Sequence, residues 1–161
     1  MKSGKKILIA YFTATNTTKK VAEQIQKILN CDIYQIEPEL KYTSNDLNWN
    51  DEKSRSTIEQ KEKNQRPKIK KNKNPNIENY DIILIGFPIW WYKATVVINT
   101  FLESYDFNGK DIIIWGTSWE SDFEKTMENL EGSCKGKLIK GKIFNKDQRK
   151  KDDIMKFVET I

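Results

Sequence analysis

Residues 7–18 read Ile7-Leu8-Ile9-Ala10-Tyr11-Phe12-Thr13-Ala14-Thr15-Asn16-Thr17-Thr18. The first half is an apolar run and the second half is almost wholly short polar side chains. Val21, Ala22, Ile25, Ile28 and Leu29 follow with a helical period, which predicts a helix from Thr17 to Leu29 bearing one apolar stripe. A strand over 6–12, apolar enough to be buried on both faces, therefore turns directly into a helix. The opening turn of a helix leaves backbone N–H groups without intrahelical partners, and the helix dipole adds partial positive charge at the same point. Four threonines and one asparagine within 13–18 add hydroxyl and amide donors on side chains short enough to let an anion approach. These features together describe a phosphate-binding loop. One or two such residues would satisfy a helix cap, and this segment carries more than a cap needs.

Working outward, apolar strands and helical periods alternate along the chain. A short strand over 32–37 ends at Pro38, and 39–50 reads as loop with Tyr42 and Trp49 as its large aromatics. Residues 51–63 form a polar helix candidate stopped by Arg66-Pro67. Tyr80 to Gly86 (YDIILIG) is a buried strand that Pro88 is expected to break, leaving Ile89-Trp90-Trp91-Tyr92 as an aromatic loop. A helix over 94–104, a turn at 106–109, a strand over 111–116 and a loop at 117–120 come next. Phe123, Met127 and Leu130 mark a helix ending near Gly132, 138–144 a last strand, and 154–161 a closing helix. This alternation predicts a parallel sheet covered on both faces by helices.

The 161 residues predict a single domain, 37% apolar and 32% charged. Cys31 and Cys134 are far apart, with neither metal-knuckle nor CxxC spacing, and no segment reads as a secretory signal or a bilayer span. A cytoplasmic location is the expectation. The chain has no histidine, so imidazole-based nucleophilic catalysis and His-bearing zinc sites are excluded. Any chemistry must then come from carboxylates, lysines, backbone groups or a cofactor, which favours a cofactor protein. The net charge of +5 concentrates in residues 61–74 (KEKNQRPKIKKNKN), which lack the interleaved aromatics of a nucleic-acid surface and read as a solvated connection. Residues 136–142 have Walker spacing, but Ile143 stands where Ser or Thr is required and the middle reads as strand. No GxGxxG occurs.

In doubly wound sheets, ligands bind beyond the carboxyl ends of the strands. Three loops leave those ends here: 13–18, 88–92 and 117–120. The first suits a phosphate. The others carry Trp90, Trp91, Tyr92 and Trp119, which suit a planar ring, although core packing or a partner surface would also use the paired indoles. A phosphate at one end and a flat ring at the other describe a mononucleotide.

Residues 11–22 (YFTATNTTKKVA) and 86–91 (GFPIWW), with Asn99-Thr100-Phe101-Leu102-Glu103 and Asp106-Phe107-Asn108-Gly109-Lys110, make the chain resemble the flavodoxins, specifically flavodoxin-like proteins with a Pro-Ile-Trp-Trp loop. The resemblance covers nearly the whole length. It implies an α/β, three-layer doubly wound sandwich with a five-stranded parallel sheet of order 2-1-3-4-5, and FMN as cofactor. By position, Thr13, Ala14, Thr15, Asn16, Thr17 and Thr18 would hold the phosphate. Pro88, Ile89, Trp90, Trp91 and Tyr92 would line the flavin ring, and Thr117, Ser118 and Trp119 would close its other side. Asn16 takes the place of the loop's usual glycine and is expected to accept a positive φ; Tyr92 replaces another glycine and is expected to resist one. The implied function is electron transfer, either as a carrier between proteins or as a small NAD(P)H-dependent quinone-type oxidoreductase. The expected partner is a redox protein or a small-molecule acceptor, with neither nucleic acid nor membrane. The rival reading is a module that kept the fold, lost FMN, and binds an acidic partner or nucleic acid.

Overall fold

The structure, a computed structural model, describes residues 4–62 and 64–161. Five long parallel strands form one sheet: β1 (Ile7–Tyr11), β2 (Asp32–Gln35), β3 (Ile82–Trp90), β5 (Asp111–Thr117) and β6 (Lys137–Phe144). A two-residue strand, β4 (Lys93–Ala94), pairs antiparallel with the end of β3. The order across the sheet is β2-β1-β3-β5-β6, the expected 2-1-3-4-5 pattern once β4 is set aside.

Alternation along each strand sorts its side chains onto two faces. Ile7, Ile9, Tyr11, Leu84 and Trp115 face α1 (Thr17–Leu29) and α5 (Lys151–Val158), whose Val21, Ile25, Ile154 and Phe157 complete that core. Leu8, Ala10, Phe12, Ile83, Ile85 and Ile114 face the opposite way. There they meet Val97, Ile98 and Phe101 of α3 (Val96–Ser104) and Leu130 of α4 (Thr126–Glu131). Both faces being covered explains why β1, β3 and β5 read as unbroken apolar runs. Residues 136–142 lie mostly within β6, which carries one extra residue between Lys140 and Ile143, so the Walker spacing has no loop to act in.

Two expectations need correction. Pro88 does not break β3, which runs on to Trp90. Gly86 turns its carbonyl toward β1, accepting from Phe12 N–H at 3.0 Å, so Pro88, two residues on, presents its nitrogen to the same side. β1 has ended there, and no ladder bond is lost. Nor is 89–92 a loop. Ile89 pairs with Ala94 and Trp90 with Lys93, closing a hairpin whose tip is Trp91-Tyr92. Both tip residues take positive φ, 49° and 67°, the geometry that matches the twist of a two-residue hairpin. Tyr92 thus adopts the conformation its side chain was expected to resist.

The remaining differences concern boundaries. β2 stops at Gln35, and α3 starts at Val96 after its cap Thr95. The polar helix, α2, spans Arg55–Lys61; the far end of the expected segment, Lys63, lies outside the described residues. Among the described residues no helix is long and apolar enough to cross a membrane.

The hairpin tip yields a prediction. Tyr92 is 62% exposed, so trimming it loses little packing. Left-handed backbone at a non-glycine residue costs about 1–2 kcal/mol, part of which glycine's extra unfolded-state freedom takes back. Tyr92→Gly should therefore raise unfolding stability by about 0.5–1 kcal/mol, read as a higher urea midpoint at unchanged slope.

Candidate functional site

β1, β3 and β5 end close together because their ladders are in register: Tyr11 lies beside Gly86, Gly86 beside Trp115, and Pro88 beside Thr117. The segments leaving them surround one open cavity of about 260 Å³. Its walls are Ala14, Thr15, Thr17 and Thr18 from the first segment, Pro88, Ile89 and Trp90 from the second, and Thr117, Ser118 and Trp119 from the third, with Arg149 completing them.

At the α1 end, Asn16 has φ 69° and ψ −2°, the left-handed turn expected of it. Its carbonyl accepts the first helical bond from Lys20 N–H at 3.1 Å, and its side chain makes no capping bond. The N–H groups of the first turn of α1 are therefore left for a ligand. Thr15 and Thr17 stand at the rim with their hydroxyls 3.5 Å apart. Thr18 is different: it is buried, and its hydroxyl lies 2.8 Å from that of buried Thr117, tying the first loop to the third. Thr13 and Asn16 line a smaller neighbouring cavity instead, and the buried Thr13 hydroxyl oxygen has no partner among the described residues.

At the aromatic end, Trp90 is half-buried. It meets Phe12 edge-on at 5.9 Å and Tyr42 at 5.4 Å while lining the cavity. It therefore packs against the core and lines the cavity at once. Trp119 is 67% exposed, with Lys146 Nζ 4.5 Å from the centre of its ring. Trp91 and Tyr92, at the hairpin tip, are not among the residues that line the cavity.

Two supports escaped sequence reasoning. The first is α2, which shows no apolar period because its buried residues are Ser56, Thr57, Glu59 and Gln60. The Gln60 side chain donates to the carbonyls of Trp90 (2.9 Å) and Ala94 (3.1 Å) and accepts from Val96 N–H (2.9 Å), clamping both arms of the hairpin and the start of α3. Beside it, Tyr42 O–H donates to Glu59, and the Arg55 guanidinium lies 3.9 Å over the Tyr42 ring. The second support is the segment after β6. Arg149 donates to the carbonyls of Phe144 (3.3 Å) and Ser118 (2.9 Å), and Asn145 donates to Ser121 (2.7 Å). The strand-end rule applied to this last loop would have flagged it; nothing in the sequence marked Gln60.

An open doubly wound sheet with a hydroxyl-rich helix start and an indole wall at one rim defines the mononucleotide-binding class of α/β proteins. Residues 6–161 match the model of the flavodoxin family, and the chain belongs to that family. It is similar to a protein assigned as a flavoprotein from Bacteroides eggerthii, with 35% identity, 98% of each chain covered and a TM-score of 0.86. Its fold is also that of a flavoprotein from Lactobacillus acidophilus solved in complex with FMN, at 22% identity, TM-score 0.69, and 96% and 99% coverage. Flavodoxin 1 of Salmonella typhimurium is 37% identical over 59 residues, and that match spans 34% of each protein.

Two predictions follow from the supports. Gln60→Leu strands three backbone groups, at about 1 kcal/mol or more each. Stability should fall by about 3 kcal/mol, and the Val96 amide should exchange its hydrogen faster. The Tyr42 hydroxyl is held protonated well above the ordinary tyrosine value, first by burial and then by its bond to Glu59. An unfolded tyrosine ionises near pH 10, so this stabilisation is whole below about pH 10 and shrinks above it. Unfolding midpoints should drop as pH rises above about 10, and Tyr42→Phe should lessen that drop.

Proposed function

We propose that this chain binds FMN and transfers electrons through it. One observation carries the reading: uncapped helix N–H groups and threonine hydroxyls share a single cavity with Trp90 and Trp119. The residues present fit the group. The first turn of α1, with Thr15 and Thr17, suits a phosphate, and the partnerless Thr13 hydroxyl beside the same loop awaits an acceptor or donor. Trp90 and Trp119 offer apolar faces to a ring. The Lactobacillus acidophilus flavoprotein and a Fusobacterium nucleatum flavodoxin, both solved with FMN, have this fold.

FMN, when bound, supplies one- and two-electron redox chemistry at its ring. The chain's own task is positional. Asn16 turns the loop so that the helix N–H groups face the cavity. The Thr18–Thr117 bond holds the two flanking loops at a fixed separation, and Gln60 holds the backbone on either side of Trp90. Electrons leave to a redox protein or a small acceptor. The rival module without FMN would need Tyr92 and Trp119 to fill the ring's place. Tyr92 is absent from the cavity wall, and Trp119 stands mostly in solvent.

Purified protein should be yellow, or should quench added FMN fluorescence on reconstitution. Thr15→Val with Thr17→Val should weaken FMN by roughly tenfold per hydroxyl lost while sparing riboflavin, since bonds to a charged group are worth about 1.5–3 kcal/mol. Colourless protein that leaves FMN fluorescence untouched sinks the proposal. Anaerobic mixing with NADPH separates the roles: rapid bleaching assigns a reductase, and none assigns a carrier.

A further inference from the structure

Arg149 is the one cationic side chain on the wall of the cavity, and among the described residues no carboxylate shares that wall. Its guanidinium is half-buried and is anchored by neutral acceptors only: Nε donates to the Phe144 carbonyl and one Nη to the Ser118 carbonyl. Among the described residues it forms no ion pair. Burial pulls its pKa down from the ordinary value, with no neighbouring carboxylate to offset the cost. An uncompensated charge held in this way at a ligand cavity calls for an anion that arrives with the ligand.

The anchor indicates which end of the ligand that is. Ser118 follows Thr117, and the Thr117 hydroxyl lies 2.8 Å from that of Thr18, in the first turn of α1. The carbonyl that holds Arg149 thus belongs to the loop stitched to the helix start, the end of the cavity that takes the phosphate. Lys146, the other cation of the same segment, is turned to the ring of Trp119. The free terminal nitrogen, together with the second N–H of the nitrogen bound to Ser118, forms the open edge of the guanidinium, which can give two parallel bonds to phosphate oxygens.

We infer that Arg149 is a positioning and specificity residue that pairs with the phosphate of the bound mononucleotide, so that this site discriminates FMN from riboflavin by charge as well as by helix N–H groups. The inference rests on the FMN reading above and adds a residue that reading does not require.

The test titrates the full-length apoprotein with FMN and with riboflavin, following flavin fluorescence. R149Q should weaken FMN by about 10- to 100-fold and change riboflavin less than about twofold, as befits loss of a charge-assisted pair. R149K, which keeps the charge but not the fork, should recover part of the lost preference. In the unaltered chain the FMN-over-riboflavin ratio should fall between about 0.05 M and about 0.5 M salt, a measurement that stands even if R149Q does not fold. Equal loss of both ligands in R149Q, no rescue by lysine, or a ratio flat with salt overturns the assignment while leaving a flavin site in place. An unaltered chain that binds neither flavin overturns both readings.

Discussion

The site depends on where three neighbouring strands stop. β1, β3 and β5 run parallel in unbroken register, so Tyr11, Gly86 and Trp115 form one row across the sheet. The cavity opens beyond that row. A one-residue slip would invert every side chain of a strand and separate the loops. The register is held by close fit: a Cβ on Gly86 would come within 2.1 Å of the Trp115 indole, so the row admits no larger residue at its centre. The buried Thr18–Thr117 hydroxyl pair then carries the same alignment past the strand ends.

β3 outlasts β1, and this asymmetry shapes the aromatic wall. Once β1 has turned away at Thr13, β3 can accept a proline and continue into a hairpin that projects over the rim. The tip is strained, with two bulky residues at positive φ, and such conformations persist only where the surroundings over-determine them. Here the surroundings are polar. Gln60 reaches three backbone groups of the hairpin and the following helix, and Lys125 N–H donates to the Tyr92 carbonyl at 2.9 Å. The aromatic cluster of Phe12, Tyr42 and Trp90 fills the space beneath.

The electrostatics of the rim are built from backbone and a single guanidinium. Described residues of the conspicuous basic run contribute elsewhere: Arg66 pairs with Glu103 at 2.9 Å, Lys70 N–H donates to the Glu37 carbonyl and the Lys68 carbonyl accepts from Glu39 N–H, both at 2.8 Å. Net charge therefore says little about the site. The cation on the cavity wall is Arg149, in the loop that follows the last strand.

The strand order followed from the family resemblance. The amino-acid sequence by itself determined the parallel alternation of strands, both layers of helices and the hydroxyl-rich turn into α1. Those features rest on local periodicity and on turn chemistry, which a short window of residues contains in full. Helix α1 matches its expected span residue for residue, and Asn16 takes the left-handed turn that its amide side chain tolerates. Only the tertiary structure decided the rest. Pro88 looked like a strand breaker because the harm a proline does depends on which neighbour its nitrogen faces. Helix α2 looked marginal because its buried face is polar, and a polar face is satisfied only by groups far away in the chain. Gln60 and Arg149 act on carbonyls 30 and 31 residues distant, and no local pattern records a partner at that range.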